Sequence, residues 1–427
     1  MLGRNLVPAC HGNYVKKVER VERQALGGVR ILDLGRILAA PLATQMLGDL
    51  GADIVKVERP VVGDDARHYG PPFLGDDRDG GMSAFYASCN RNKRSITLDY
   101  TTDRGKEILL GLLERSDVLV ENFRPGVLAK YGLAYEDLRE RFPELVYCSV
   151  TGFGQTGPYR HRPGYDGIFQ AVSGMMSVSG LPDGVPGAGP MKSGLSLVDI
   201  LTGLYTATSV LAALRHRDVT GAGQHLDVSL LDCGVAAISH YAESFLVSGD
   251  VPPRRGNGGF GGIPSQAFGC ADGKLIFIVA TTNPQFARAC TAMGHPELFA
   301  NERFGSIAAR IENREELLPI LEKIFAQRPA DHWITVLDAA DVPVGPVNDI
   351  RAALDDPQVR HRELRIAMWH EVLGEIPGLG FPVRMSGTAD PAYSAPPTLG
   401  EHTAEVLGDL LGLEAAAVID LRSDGVV

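Results

Sequence analysis

The chain has 427 residues, 44% of them hydrophobic and 22% charged, an ordinary globular composition that argues against a disordered tail, a collagen-like fibre or a disulfide-held mini-protein. Lys and Arg total 41 against 52 Asp and Glu, so the net charge is −11 and the whole-molecule field repels nucleic-acid phosphates and anionic membrane surfaces. The length favours two or three folding units.

Residues 1–27 read as an N-terminal extension without the apolar core of a secretory signal, and Glu19 and Glu22 argue against a transit peptide. From Gly28 the pattern becomes regular. Val29–Leu34 reads as a buried strand, Ala40–Leu50 as a helix and Asp53–Glu58 as a second strand, which opens a βαβ unit. Val61–Gly81 is a long Gly/Pro/Asp-rich loop of the kind that serves as a lid or binding segment. Arg94–Asp99 reads as a third strand, Thr102–Arg115 as an amphipathic helix, and Asp117–Phe123 and Leu145–Val150 as two further strands. Alternation of this kind predicts an α/β fold with a doubly wound, mostly parallel, Rossmann-like sheet over 28–217.

Asp199 to Arg217 is a long alanine-rich helix, followed by the strand-like His225–Leu230 and another apolar helix. The Gly/Pro-rich stretch ending at Pro264 marks a boundary, so 218–264 reads as linker helices and a glycine-rich loop. A smaller α/β domain is expected over 265–350, and 351–427 as a C-terminal segment packing back on the large domain. No apolar run reaches the roughly 20 residues needed to cross a bilayer. Six scattered cysteines without a CxxC pair, and eleven histidines without HxxxH spacing, predict a reducing, cytoplasmic setting and no metal site.

Four features could carry chemistry. Gly256-Asn-Gly-Gly-Phe-Gly-Gly262 suits a mobile flap or an anion cradle, and equally a flexible linker. The turn after the first strand, Asp33-Leu-Gly-Arg-Ile-Leu-Ala-Ala-Pro41, lacks GxGxxG, so a conventionally bound nicotinamide or flavin is not expected. Asn90-Arg-Asn-Lys-Arg94 is a short basic run at a strand end, able to meet phosphates or simply to be solvated. Asp199 stands where a Gly/Pro-rich segment enters an apolar helix. There the helix N-terminus is expected to keep it ionised at pH 7, as a nucleophile or as an ordinary cap.

Taken in order, several segments resemble the class III CoA-transferase family, which includes formyl-CoA transferase, carnitine CoA-transferase and α-methylacyl-CoA racemase. They are Arg30–Leu34 with Ala39-Ala-Pro41, Leu50–Pro60, Asn92–Ile96, Val120–Gly126, Tyr165-Asp166 with Gln170-Ala171, the Asp199 helix, Gly256–Gly262, Gly345-Pro-Val347 and Leu399–Thr403. The resemblance implies that Asp199 is the nucleophile, forming aspartyl anhydride and aspartyl-CoA thioester intermediates, with Gly258, Gly259, Gly261 and Gly262 as a flap over them. It implies acyl-CoA as substrate, with no tightly bound cofactor and no metal. Leu38, Ala39, Arg59, Leu98, Asn122, Phe123, Lys130, Tyr131 and Tyr165 would line the CoA site, with Arg91, Lys93 and Arg94 beside its phosphates.

Some formyl-CoA transferases carry Gln where this chain has Leu38, which disfavours formyl or oxalyl specificity. Racemases of the family carry His where this chain has Tyr165, which favours transfer over epimerisation. Gln266-Ala-Phe268, Asn283-Pro-Gln-Phe286 and Pro343-Val-Gly-Pro346 resemble members that use succinyl-CoA and short dicarboxylates. The resemblance further implies an interlocked homodimer. The alternatives are a 2-methylacyl-CoA racemase and a CoA-binding protein without turnover.

Overall fold

The computed structural model describes residues 24–75, 81–259 and 261–427. The chain forms two compact units. The first comprises the residues up to Met175, Ser193–Ala242 and His361–Val427; the second comprises Met176–Lys192 and Glu243–Arg360.

The first unit is built on a sheet of β1 (Arg30–Asp33), β2 (Asp53–Glu58), β3 (Lys93–Thr97), β4 (Val118–Glu121), β5 (Val146–Thr151) and β6 (His225–Ser229). Their spatial order is β3-β2-β1-β4-β5-β6, and every pairing is parallel. This is the doubly wound order, in which the chain reverses its direction of winding between the first and fourth strands. The central strands are buried on both faces, which is why they read as continuous apolar runs and not as alternating ones. One face is covered by α1 (Ala39–Asp49) and α4 (Leu197–Thr220), the other by α2 (Asp103–Leu113) and the C-terminal residues around Val406 and Leu421. Helix α2 starts where Thr102 accepts a hydrogen bond from the Gly105 amide. The short helix α3 (Asp166–Val172) precedes α4.

Contrary to the expectation that no apolar run reaches bilayer length, helix α4 is long and apolar enough, by length and composition alone, to cross a membrane. Here it lies against α1, and Gly203 makes the approach possible. A Cβ at Gly203 would stand 3.0 Å from the Ala39 carbonyl oxygen and 3.3 Å from Leu42. Helix α5 (Leu230–Ala237) follows β6 directly.

The second unit carries an antiparallel sheet, β7 (Ser265–Gly269), β8 (Leu275–Val279) and β9 (Val344–Pro346), with β8 in the middle. Helices α6 (Asn283–Ala292), α7 (Arg314–Phe325) and α8 (Ala330–Ala339) bury Phe286, Leu317, Phe325 and Trp333 around Phe268 and Ile276. The chain then returns to the first unit. The Thr97 amide donates to Thr403 Oγ1, His402 donates from its amide to Ser95, and the Asp99 amide donates to Val426 near the C-terminus.

Candidate active site

The cleft lies at the carboxyl ends of the strands, where β1 and β4 diverge, the position at which parallel sheets of this winding bind ligands. It is about 240 Å³ and is lined by Arg36–Ala39 after β1, Asn122–Pro125 after β4, Val150–Gly152 at the end of β5, the Arg160–Tyr165 segment, Phe169, Leu230 and Asp199.

Asp199 sits in the first turn of α4 but does not cap it. That task falls to Asp166, whose Oδ1 accepts hydrogen bonds from the amides of Val198 (2.8 Å) and Asp199 (3.3 Å). Asp166 is fixed in turn by Gln170, which donates to its Oδ2 at 2.6 Å and to the Leu195 carbonyl, while Gln170 Oε1 accepts from the Ser193 amide. The Asp199 carboxylate is thereby released from capping and faces the cleft. Burial pushes its pKa up from 3.8 to about 7, and the neighbouring Asp166 carboxylate adds to the rise. The expectation of an ionised Asp199 therefore needs correction. The N-terminal dipole of α4 is outweighed, and near neutrality the group is poised between its two forms.

Three arginines share the cleft with no carboxylate within 4.0 Å among the described residues: Arg124, Arg160 and Arg162. The Arg162 guanidinium stacks 3.8 Å over the Tyr159 ring, and Arg160 Nε contacts His161 Nε2 at 2.9 Å. Arg36 stands 5.1 Å over Phe123 and pairs with Asp65. A cleft with one carboxylate and several cations suits an anionic ligand. Sequence reasoning passed over Arg160 and Arg162 because an Arg-His-Arg loop carries no motif; their significance comes from lining the same cleft as Asp199.

Of the residues expected to line a CoA site, Leu38, Ala39, Asn122, Phe123 and Tyr165 meet in this cleft with Asp199. Leu98 lies fully buried in the core, and Tyr131 packs edge-on to Tyr100. Lys130 is exposed at the end of a short helical turn, and Arg59 pairs with Asp65 at 3.2 Å. The basic run is spent internally. Arg91 is buried against Asp49 at 2.5 Å and Lys93 against Asp33 at 2.9 Å, while Arg94 bridges Asp53 and Glu405. Among the described residues no group of His, Cys, Asp and Glu could hold a metal ion.

The glycine loop belongs to the second unit, and Phe260 within it lies outside the described residues. The Gly259 amide donates to the Ser265 carbonyl at 2.8 Å, and the Gly258 amide to Arg255 at 2.9 Å. A Cβ at Gly259 would stand 2.7 Å from Ser265 Oγ, and one at Gly262 would stand 2.7 Å from the Thr281 carbonyl oxygen. Those two glycines are required by packing. Gly261 faces open space.

Comparison with known proteins agrees with this arrangement. The family model for CoA-transferase family III matches residues 26–403. Human succinyl-CoA:glutarate CoA-transferase is 40% identical over 402 residues, covering 94% of this chain and 90% of its own. Succinate–glutarate CoA-transferase of Agrobacterium fabrum is 42% identical over 393 residues, 92% of this chain and 97% of its own. The crystal structure of a CAIB/BAIF family protein from Brucella suis superposes with a TM-score of 0.82 at 40% identity, covering 91% of this chain and all of that one. With a doubly wound sheet, a switch-point cleft and relatives matching nearly end to end, the chain belongs to CoA-transferase family III and is a CoA-transferase.

Proposed function

We propose that the protein moves CoA from succinyl-CoA to a short dicarboxylic acid such as glutarate, with Asp199 as the covalent carrier. The carrying observation is a carboxylate freed from capping, poised near neutrality and facing a cleft flanked by arginines. An Asp199 oxygen attacks the thioester carbonyl, the C–S bond breaks, and an aspartyl–succinyl anhydride and CoA thiolate result. The thiolate attacks the Asp199 carbonyl of the anhydride and releases succinate, leaving an aspartyl-CoA thioester. The acceptor carboxylate attacks that thioester, giving a second anhydride and free thiolate. The thiolate then attacks the acceptor's carbonyl, forming the new acyl-CoA and regenerating Asp199. Each step exchanges one acyl bond for another, with no net proton or electron required. Arg124, Arg160 and Arg162 are suited to the CoA phosphates and to the far carboxylate of a dicarboxylate.

The exposed apolar side chains of α4, Leu204, Tyr205 and Leu211, favour a homodimer in which a second copy covers them. The free cysteines Cys89, Cys148, Cys233, Cys270 and Cys290 suit a reducing, cytoplasmic setting. The test is to incubate the protein with succinyl-CoA and a panel of mono- and dicarboxylic acids and identify new thioesters by mass. Formation of glutaryl-CoA or a similar dicarboxyl-CoA supports the reading. Solvent deuterium entering a 2-methylacyl-CoA without transfer would replace it with the racemase.

Nucleophilic attack requires the ionised carboxylate, so kcat/KM for transfer should rise about tenfold per pH unit and level off near 7. Asp166→Asn removes a like charge and should move that limb to lower pH. Stability runs the other way. The folded pKa lies above the ordinary value of 3.8, so the folded state holds the extra proton and loses stability as pH rises from there through about 7. Asp199→Asn should accordingly melt higher than wild type at pH 8, read by calorimetry.

The glycine loop is assigned the task of excluding water from the anhydride. Gly261 has space for a side chain, so Gly261→Val should leave the melting temperature within about 2 °C, a small-ΔΔG change. If the loop closes during turnover, the same substitution should raise hydrolysis of succinyl-CoA relative to transfer severalfold.

A further inference from the structure

The turn between β1 and α1 is held in an unusual way. Every backbone N–H and C=O of Gly35, Arg36 and Ile37 is bonded to a side chain of the first unit, the local Asp33 for the Gly35 amide and residues distant in sequence for the other five groups. The Gly35 amide donates to Asp33 Oδ1 at 2.8 Å, and the Gly35 carbonyl accepts from Lys56 Nζ at 2.7 Å. Asn122 takes both polar groups of Arg36, its Oδ1 accepting from the amide at 2.9 Å and its Nδ2 donating to the carbonyl at 2.8 Å. The Ile37 amide donates to Asp64 Oδ1 at 3.0 Å, and the Ile37 carbonyl accepts from Cys89 Sγ at 3.4 Å. Asp64 is buried and is itself anchored by Lys56 at 3.0 Å and by its amide to Glu58 Oε2.

This scaffold holds a backbone that the residue does not favour. Ile37 has φ of +70°, a left-handed conformation that is an outlier for a β-branched side chain and persists only where surroundings over-determine it. Directly after it come Leu38, which provides no side-chain cap for α1, and Ala39, and both line the cleft with Asp199. The conformation of Ile37 therefore sets where the start of α1 stands relative to the nucleophile.

We propose that Asn122 and Asp64 are positioning residues that together clamp the Gly35–Ile37 turn in its left-handed conformation, fixing the Leu38–Ala39 wall of the transfer site. Asn122, with both amide atoms committed to Arg36, then acts on the backbone and not on CoA. The inference rests on the cleft being the site of CoA transfer.

The two readings separate by experiment. Asn122→Ala and Asp64→Asn are each made alone and with Ile37→Gly, because glycine adopts φ of +70° without a clamp. Succinyl-CoA-to-glutarate transfer is measured together with melting temperature. The expected result is a fall in kcat of about tenfold or more in each single clamp variant, with KM for succinyl-CoA changed less than about threefold. Adding Ile37→Gly should recover at least about threefold of the lost kcat, so the effects are non-additive. Additive losses, or a loss confined to KM for succinyl-CoA, overturn the clamp and return Asn122 to direct contact. Single variants that fail to fold and are not restored by Ile37→Gly also count against it. Wild-type transfer that survives Asp199→Ala defeats the site assignment instead, whatever the clamp variants do.

Discussion

Asp199→Ala is expected to lower the rate of CoA transfer by on the order of 10⁴-fold while leaving the fold and CoA binding in place, measured as formation of the acceptor thioester from succinyl-CoA. The magnitude follows from the role. A covalent carrier removed cannot be replaced by proximity, because direct attack of the acceptor on the thioester would require a different arrangement of both substrates. The selectivity of the effect follows from the geometry. The start of α4 is capped by Asp166, which bonds the Val198 and Asp199 amides, so truncating the Asp199 side chain removes no cap. It also removes a carboxyl whose ionisation is disfavoured by burial and by Asp166, so the variant should be at least as stable as wild type at pH 8. A variant that is stable, binds CoA and does not transfer identifies the nucleophile. One that transfers normally would exclude Asp199 from the chemistry.

Much of the first unit could be read from local pattern. Runs such as Arg30–Asp33 and Val118–Glu121 carry consecutive apolar residues, Ile31-Leu32 and Val118-Leu-Val120, because both faces of a parallel strand are covered, and the alternation with helices implied the winding. Asp199 stood out because a carboxylate at the entrance to an apolar helix is chemically conspicuous. Its protonation could not be read the same way. Burial in the folded cleft raises its pKa, and the residue that adds to the rise also caps its helix: Asp166, lying 33 positions earlier in the chain. The basic run at Arg91–Arg94 illustrates the same limit. Its charges look available in sequence, yet Arg91 meets Asp49 across 42 positions and Lys93 meets Asp33 across 60, pairings that only the sheet brings about. Helix bounds shift for a similar reason. Helix α4 begins at Leu197, ahead of the expected Asp199, because the Asp166 side chain satisfies amides that the local sequence leaves without a cap. Met176–Lys192 belongs to the second unit through partners distant in sequence: Gly256 donates its amide to Gly180, and Arg254 bonds Leu181 and Asp183.

The second unit depends on a residue that no motif marked. Arg310 is fully buried, and its guanidinium donates to the carbonyls of Ile263 (2.8 Å), Phe304 (3.0 Å) and Thr281 (2.9 Å) and to Asn283 Oδ1 (3.2 Å), lying 4.5 Å over the Phe286 ring. No carboxylate lies within 4.0 Å of it among the described residues. Its charge is solvated by backbone dipoles and an aromatic face in place of water. Removing it would leave several buried carbonyls without donors, each costing about 1–3 kcal/mol, and would open a cavity beside Phe286. Arg310→Leu is therefore expected to destabilise the second unit by about 4 kcal/mol or more, seen as an early calorimetric or proteolytic transition. Lysine at this position should restore little, because one ammonium cannot reach the acceptors that the planar guanidinium spans. Ile263 directly follows Gly262, and Gly262 lies against Thr281, so two of the carbonyls held by Arg310 anchor the outgoing end of the glycine loop. Below its melting transition the variant should therefore also hydrolyse more succinyl-CoA per transfer than wild type. A stable Arg310→Leu protein with an unchanged ratio of hydrolysis to transfer would show that the loop needs no such anchor.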